Sequence, residues 1–352
     1  MLLLLCLASC SADKDIRPGE KIPVPREEDV LFDPELRSFG QNKNAVLLLL
    51  PLSGRNGDVG QSILNACLLG ALNSRNVDFH VLDTADSSIE KFKIYDDFKD
   101  KNLKAVIGPV FASETKQYAA LFPKIPILSL SNDARINGEH VFACGLSPRD
   151  EIRSLLKYAD SEDANSFLVI LPNGEVGDGI LAIISDELKK RRLGDDAVEV
   201  LRYQSISRKT ATRYAQNSGK EIVFAIDPVA DAARLKNVAV FTLSSAVLSN
   251  PEAWNGAIFA FFGGRDRPKF ENKYASVFGM RPTAPDIIGY DLVGMINESV
   301  NGEIPLTEIN YQGCSGKILL NKKYRLRRTP EIFRMKNSQK IRLTPDDAAE
   351  DA

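Results

Sequence analysis

Short, wholly apolar runs alternate along this chain with longer stretches whose apolar positions recur every three or four residues. The first run, residues 46–50, is continuous Val and Leu. That pattern suits a strand covered on both faces, as in a parallel sheet. Pro51 and a Ser53-Gly54 turn follow, and Asp58, three residues before Gln61, marks a helix start. Ile63, Ala66, Cys67, Gly70 and Ala71 then fall at i, i+3, i+4, i+7 and i+8, small enough to let the helix lie close on a sheet. The pattern continues with strands over 78–82, 104–107, 126–129 and 140–143 and helices over 88–101 and 113–122. Ser147-Pro148-Arg149-Asp150 opens a further helix with Pro at its first position.

A second series starts at strand 167–171. It runs through helix 177–192, strand 197–203, helix 208–217 and strands 221–226, 238–243 and 257–262. Thr283-Ala284-Pro285-Asp286 caps a long helix to Val300, and strands near 317–320 and 332–335 close the pattern. The expectation is an α/β protein of two doubly wound parallel-sheet lobes with a cleft between them. Ligands in such sheets bind at the carboxyl ends of the strands, where Ser53 sits.

The flanks change the picture. In MLLLLCLASC the apolar run 2–8 is too short to span a membrane. It fits a signal-peptide core, and Leu7-Ala8-Ser9-Cys10 resembles a bacterial lipobox, with Cys10 the lipidated residue. No Lys or Arg precedes the run. Ser11 resembles the outer-membrane sorting pattern, so the expected location is the periplasm, lipid-anchored at the inner leaflet of a Gram-negative outer membrane. Residues 11–43, with Pro18, Pro23, Pro25 and Pro34, read as a flexible tether reaching on the order of 100 Å if fully extended. Residues 338–352 read as an acidic tail.

A net charge of −2 over 352 residues argues against a dedicated nucleic-acid binder. Five cysteines without a CxxC, and two histidines far apart, give no metal site. Residues 174–179 read GxxGxG, not the dinucleotide order. The SxxK matches at Ser113 and Ser154 have no KTG or SDN partner. The chain is read as a non-enzyme with no cofactor.

Four segments, VLLLLPLSG, IGPVFASETKQYAALFPKIPILSLSNDARI, PDIIGYDLVGMI and GCSGKILLNKKYRLRRTPEIFRM, resemble the type I periplasmic-binding-protein fold. That fold is shared by the leucine/isoleucine/valine-binding proteins and by the LppC-type lipoproteins that activate penicillin-binding proteins. The resemblance covers about residues 44–337. It implies three crossovers, near 143–147, 258–264 and 310–316. Lobe 1 would then be 44–143 plus 264–310, and lobe 2 147–258 plus 316–337, with Gly263-Gly264 a flexible hinge. The first and third crossovers would run side by side. That leaves two readings for Cys144 and Cys314, a disulfide or two free thiols.

In the amino-acid-binding members, two loops of lobe 1 hold the ligand carboxylate. Aligned here, their hydroxyl positions fall on Ala112 and Asp133, with Phe111 crowding the mouth. Ala112 cannot donate, and an ionised Asp133 would repel a carboxylate. Ser53, Phe111, Ser113, Ser131 and Asn132 are therefore the candidate lobe 1 residues for a small polar ligand. The lobe 2 lid position falls on Asp227, read either as an ammonium partner or as an ordinary strand-end Asp before Pro228. Of two basic runs, 189–192 reads as a solvated helix end. In the other, 322–328, Arg325, Arg327 and Arg328 are a candidate surface for an acidic partner or phospholipid headgroups. The altered ligand positions favour a non-enzymatic activator of peptidoglycan synthesis that binds a penicillin-binding protein. The alternative is the substrate-binding lipoprotein of an ABC importer for an amino acid or related small molecule, working with an ABC permease.

Overall fold

The computed structural model describes residues 44–343 apart from 73, 75, 87–93, 95–97, 99–100, 192, 195, 229–231 and 322–324, and the side chains of 321 and 325 are also outside the description. Cys10, the tether, the acidic residues beyond 343, most of the helix expected over 88–101 and the Arg325 side chain thus lie outside the described residues.

The first lobe is built on β1 (Asn44–Leu50), β2 (Val77–Asp83), β3 (Asn102–Ile107), β4 (Ile127–Ser129) and β5 (Val141–Ala143). They pair in parallel in the order β2-β1-β3-β4-β5. The unbroken apolar run of β1 is explained by its place inside this sheet. Val46, Leu48 and Leu50 enter the core on one face and Ala45, Leu47 and Leu49 the core on the other. The second lobe carries a seven-stranded sheet, β15-β14-β10-β9-β8-β6-β7. Its parallel part is β6 (Phe167–Pro172), β7 (Val198–Tyr203), β8 (Ile222–Ala225), β9 (Ala239–Leu243) and β10 (Ile258–Phe261). The chain returns late to add β14 (Glu331–Lys336) and β15 (Gln339–Arg342) antiparallel at the edge. The two doubly wound lobes are as expected. Residues 339–342, read as the start of a tail, are instead a sheet edge.

One expectation about the lobes is corrected. β11 (Asn310–Gly313), β12 (Gly316–Asn321) and β13 (Arg325–Thr329) form a separate antiparallel sheet. Their apolar face, Ile318, Leu320 and Leu326, is buried in the first lobe's core with Leu292, Met295 and Ile296. β12 and β13 therefore belong with lobe 1, not lobe 2, and the third crossover falls between β13 and β14 rather than near 310–316. The reason is the alternation of β12, which puts Ile318 and Leu320 on the face turned to the long helix and leaves Leu319 exposed on the other.

That helix, here α8, spans Ala284–Gly302 and opens with the expected cap. The Thr283 hydroxyl and Asp286 carboxylate form a reciprocal capping box. α1 (Gly57–Ala71) packs against it. The small-residue stripe of α1 serves this helix pair as well as the sheet: a Cβ placed on Gly289 would lie 3.0 Å from Cys67 Sγ. Ser62 of α1 donates to Asp286 at 2.8 Å, tying the two helices at their starts. Asp58 is not the cap. Asn56 holds that position without a side-chain bond, and Asp58 adds its charge within the first turn.

The remaining helices are α2 (Ala112–Leu121), α3 (Pro148–Ser161), α4 (Glu175–Leu188), α5 (Arg208–Asn217), α6 (Ser244–Ser249) and α7 (Arg267–Phe278). Ser147 caps α3 by accepting from the Arg149 N–H at 3.2 Å, with Pro148 in the first turn, as its sequence indicated.

One buried arginine of β13 ties the β11–β12 turn to the first crossover. Arg328 of β13 is 4% exposed and Asp291 of α8 and Ser315 are fully buried. Asp291 accepts the N–H groups of Cys314 at 2.6 Å and Ser315 at 2.8 Å, and the Ser315 hydroxyl as well. Arg328 Nε donates to Ser315 Oγ at 2.9 Å, and its Nη1 donates to the Cys144 carbonyl of the first crossover at 2.6 Å. The Arg328 backbone N–H is bonded to Asp150, in the first turn of α3 in the other lobe. The second crossover joins through Gly264, whose N–H donates to the Cys314 carbonyl at 2.9 Å. Gly264 is thus required for closeness rather than flexibility. A Cβ there would lie 2.1 Å from the Gly313 carbonyl oxygen.

Two site expectations fall here. Arg328 is not surface, because strand alternation puts it on the face of Leu326. The Cys144–Cys314 disulfide is not formed. Both are free and buried, Cys144 in the first lobe's main core and Cys314 beside Phe270, Tyr274 and Ile287. Burial pushes the Cys144 thiol up to about 12. Arg328→Ala strips Ser315 and the Cys144 carbonyl of their donor and leaves Asp291 without its nearby cation. The expected result in urea unfolding is a loss of about 3 kcal/mol or more, and a loss under 1 kcal/mol would show that the crossovers stand without it.

Candidate functional site

The candidate site lies where the strands of lobe 1 end and the first crossover leaves. The loops after β3 and β4 frame a cavity of about 360 Å³ with Phe111, Ser131, Asn132 and Leu146 on one side and Pro285 and Ile288 on the other. β3 and β4 position these loops by their parallel pairing, and the Gly145 N–H donates to the Ser131 carbonyl at 2.9 Å, holding the crossover against them. Phe111, the residue before α2, is 37% exposed at the mouth. A larger cavity, about 610 Å³, opens beside Asn44, Lys104 and the end of α8, and none of the expected ligand residues lines it.

Three of the six expected residues, Phe111, Ser131 and Asn132, come together in the smaller cavity. Ser131 is partly committed, since its Oγ accepts the Asp133 N–H at 3.1 Å. Ser53 does not line it. Against the upward pull of burial, bonds from the Ser53 hydroxyl and the backbone N–H groups of Ala85, Leu52 and Ser53 hold Asp83 below the usual carboxylate range. Ser53 therefore helps close the β1 turn on the end of β2. Ser113 is exposed in the first turn of α2, outside the lining. Asp227 sits in the other lobe as acceptor of the Tyr203 hydroxyl. Burial and this bond raise the Tyr203 phenol.

Asp133 is not the free repelling charge its sequence position suggested. Its carboxylate accepts the Arg135 N–H at 3.0 Å and pairs with the Arg135 guanidinium at 2.8 Å. These bonds hold it at about 2, well below the ordinary value. Among the described residues the cavity wall is mostly apolar, and no cation lines it. Such a wall can hold a small, largely apolar group through Ser131 and Asn132, but it offers no charge for an α-carboxylate. Among the described residues no group of His, Cys, Asp and Glu could hold a metal ion, and no helix is long and apolar enough to cross a membrane.

A model of the family described as "LppC putative lipoprotein" matches residues 34–215, just over half of the chain. The chain belongs to the LppC family. Among curated relatives, the "Penicillin-binding protein activator LpoA" of Vibrio antiquarius is 27% identical over 158 residues, 42% of this LppC chain and 26% of that protein. The protein of the same name from Histophilus somni is 28% identical over 134 residues, 37% of this chain and 22% of that one. The chain thus spans only about a quarter of the curated relatives it matches. Among solved structures, "a putative branched-chain amino acid ABC transporter" from Rhodospirillum rubrum aligns with a TM-score of 0.70 at 17% identity, covering 85% of this chain and 99% of that one. The C-domain of Haemophilus influenzae LpoA, described as a regulator of PBP1A, aligns at 0.66 and 20% identity, covering 86% and 100%. Identities this low speak for the fold alone, and that fold is the type I periplasmic-binding-protein architecture of the LppC family.

Sequence reading missed the carboxylates that begin α3, directly after the first crossover. Asp150 pairs with Arg153 at 3.0 Å besides accepting from Arg328. Glu151 is 6% exposed and accepts the Ser244 N–H at 2.6 Å. Burial pushes Glu151 up to about 7, although the Ser244 N–H and hydroxyl pull the other way. A signal did exist: Glu151 directly precedes Ile152 on the apolar face of a capped helix. Folding favours protonated Glu151, so its contribution is full below the ordinary value of 4.5 and is lost as pH rises through about 7. Glu151→Gln keeps an acceptor for Ser244 and removes the titration. The variant is expected to be the more stable by roughly 3 kcal/mol at pH 8 and close to wild type at pH 4.5. Parallel pH profiles of the two proteins in urea would contradict this.

Proposed function

We propose that this chain is a lipid-anchored periplasmic protein of a Gram-negative bacterium that activates peptidoglycan synthesis by binding a penicillin-binding protein, with no catalytic step of its own. The observation that carries the reading is the pairing of LppC family membership with a lobe 1 cavity that lacks a charge for an amino-acid carboxylate. Relatives named as penicillin-binding protein activators support it. In this reading Cys10 is the lipid attachment point, residues 11–43 carry the body away from the outer membrane's inner leaflet, and the bilobal body is the contact surface. Of the basic run, Arg327 is exposed on β13, beside the buried Arg328, and is a proposed part of that surface.

The test is direct. The full chain, added to a purified bifunctional penicillin-binding protein with its lipid-linked precursor, is expected to raise the rate of glycan synthesis or cross-linking several-fold. Arg327→Glu should weaken the complex without changing the chain's own melting temperature. Neither binding nor stimulation by the wild-type chain would overturn the reading.

A second reading, the substrate-binding lipoprotein of an ABC importer, is favoured by the likeness to a branched-chain amino acid transporter protein and by the cavity at the strand ends. A thermal-shift panel of amino acids, short peptides and muropeptides separates the two. A ligand at a hundred times its dissociation constant stabilises by about 2.7 kcal/mol. The activator reading expects no shift of that size with any free amino acid, and one such shift would move the assignment to the importer.

A further inference from the structure

The larger cavity of lobe 1, about 610 Å³, lies at the other end of the sheet from the candidate site, near the starts of β1, β3 and β4, where Asn44, Lys104 and Pro126 stand. Its described wall is mainly aliphatic: Val300 in the last turn of α8, Ile304 and Pro305 beyond it, Leu306 of the following 3-10 turn and Leu320 of β12. The stretch after α8 is fixed by its own bonds. The Ile304 N–H donates to the Ser299 carbonyl at 3.0 Å, and the Ser299 hydroxyl donates to the Ile304 carbonyl at 2.6 Å. Ile304 is nonetheless 41% exposed. A large aliphatic side chain is thus held open to water at the cavity, where cover by another apolar group is favourable.

The chain enters lobe 1 at this cavity. Asn44, which opens β1, is part of the lining. Its Nδ2 donates to the Asn76 carbonyl at 3.0 Å and its Oδ1 accepts from Asn102 Nδ2 at 3.0 Å. Asn76 in turn donates to Asn301 of α8 at 2.8 Å. The point from which the preceding segment leaves is therefore pinned beside the aliphatic wall. That segment is not composed like a linker. Residues 11–29 hold no aromatic residue, whereas Val30, Leu31, Phe32, Leu36 and Phe39 crowd the next ten positions. The order Asp33-Pro34-Glu35, with Gly40 after it, is the sequence pattern of a short helix with Leu36 and Phe39 at i and i+3. The LppC match begins at residue 34 rather than at β1, so residues 34–43 align with the family's domain. Glu35 and Arg37 flank Leu36, and the cavity lining includes Lys104 and Glu303, of the matching opposite signs.

We propose that residues 34–43 of the same chain dock back into this cavity, with Leu36 and Phe39 covering the aliphatic wall around Ile304. Phe39 is five residues from Asn44, a reach of about 17 Å when extended, so the cavity is accessible to it without displacing β1. Docking has a consequence for the anchored protein. The free tether shortens to residues 11–33, about 80 Å at full extension. The body is then held by the base of lobe 1, and the loops after β3 and β4 at the other end of its sheet face away from the membrane. That consequence rests on the lipid-anchored reading, and the docking itself does not.

Amide hydrogen exchange of the full chain in neutral detergent tests this, because it reports opening segment by segment. In the wild-type chain the amides of residues 34–43 are expected to exchange at least tenfold more slowly than those of residues 11–29. Leu36→Asp with Phe39→Asp should remove that protection. So should Ile304→Glu, which changes only the cavity wall at an exposed position. Leu72→Glu adds the same charge at a 53% exposed lobe 1 position outside the lining, and should leave the protection within twofold of wild type. Unprotected 34–43 amides in the wild-type chain would overturn the proposal. Protection that survives Ile304→Glu would overturn it too, since the segment would then be covered elsewhere. Protection that appears only as the chain dimerises in sedimentation would overturn it in favour of exchange with a second copy. Circular dichroism melts confirm that each variant is folded. No lipid or penicillin-binding protein enters the measurement, so its failure leaves the activator reading untouched.

Discussion

Arg328 is the constraint on which this architecture depends. A two-lobed α/β chain that crosses between its lobes three times has to bring three irregular segments together, with their backbone polar groups out of water. Each such group left unpaired costs on the order of 1–3 kcal/mol. One guanidinium resolves much of this at once: it reaches the Cys144 carbonyl on the first crossover and, through Ser315, the Asp291 carboxylate that holds the β11–β12 turn, to which Gly264 of the second crossover is bonded. Burial pulls the guanidinium below its usual range while Asp291 and Asp150 pull it back, and burial pushes Asp291 upward. The network holds because it is buried and its members share partners, not because any pair in it is strong alone, although Arg328 Nη2 has no hydrogen-bond partner among the described residues.

That anchorage bears on function. The first turn of α3 follows the first crossover directly, and both of its buried carboxylates are committed: Asp150 to the Arg328 backbone and Arg153, Glu151 to Ser244 at the end of β9. Motion of one lobe against the other has to pass through this knot. The lobe 1 cavity beside it is small and, among the described residues, mostly apolar and without a cation, and Asp133, next to the lining Asn132, is paired with Arg135. A protein that captured charged solutes by closing on them would place its charges in that space.

The resemblance to solute-binding proteins and the membership of the LppC family are compatible because they concern different levels. The fold is held by the interior of the two sheets and by the crossovers. The function is carried by loops and faces that the fold leaves free to vary. Ala112 and Asp133, at positions where amino-acid-binding relatives were expected to carry hydroxyls, illustrate this. Ala112 simply begins α2, and Asp133 caps a 3-10 turn.

What the sequence determined by itself was the local and repetitive part of the protein. The apolar run of β1, the Ser147-Pro148 start of α3 and the Thr283–Asp286 capping box are set by residues within a few positions of one another, so their patterns can be read directly. The alternation of such elements was enough for two doubly wound lobes. Tertiary structure alone decided what depends on partners distant in sequence. The alternation Leu326-Arg328 in β13 was present in the chain, but a basic run reads as solvated until Asp291, 37 positions earlier, and Cys144, 184 earlier, are seen to meet it. β12 and β13 joined lobe 1 because that lobe's core offered their apolar face a place. Cys144 and Cys314 stayed apart because each side chain turned into a different core, a choice that sequence spacing does not encode.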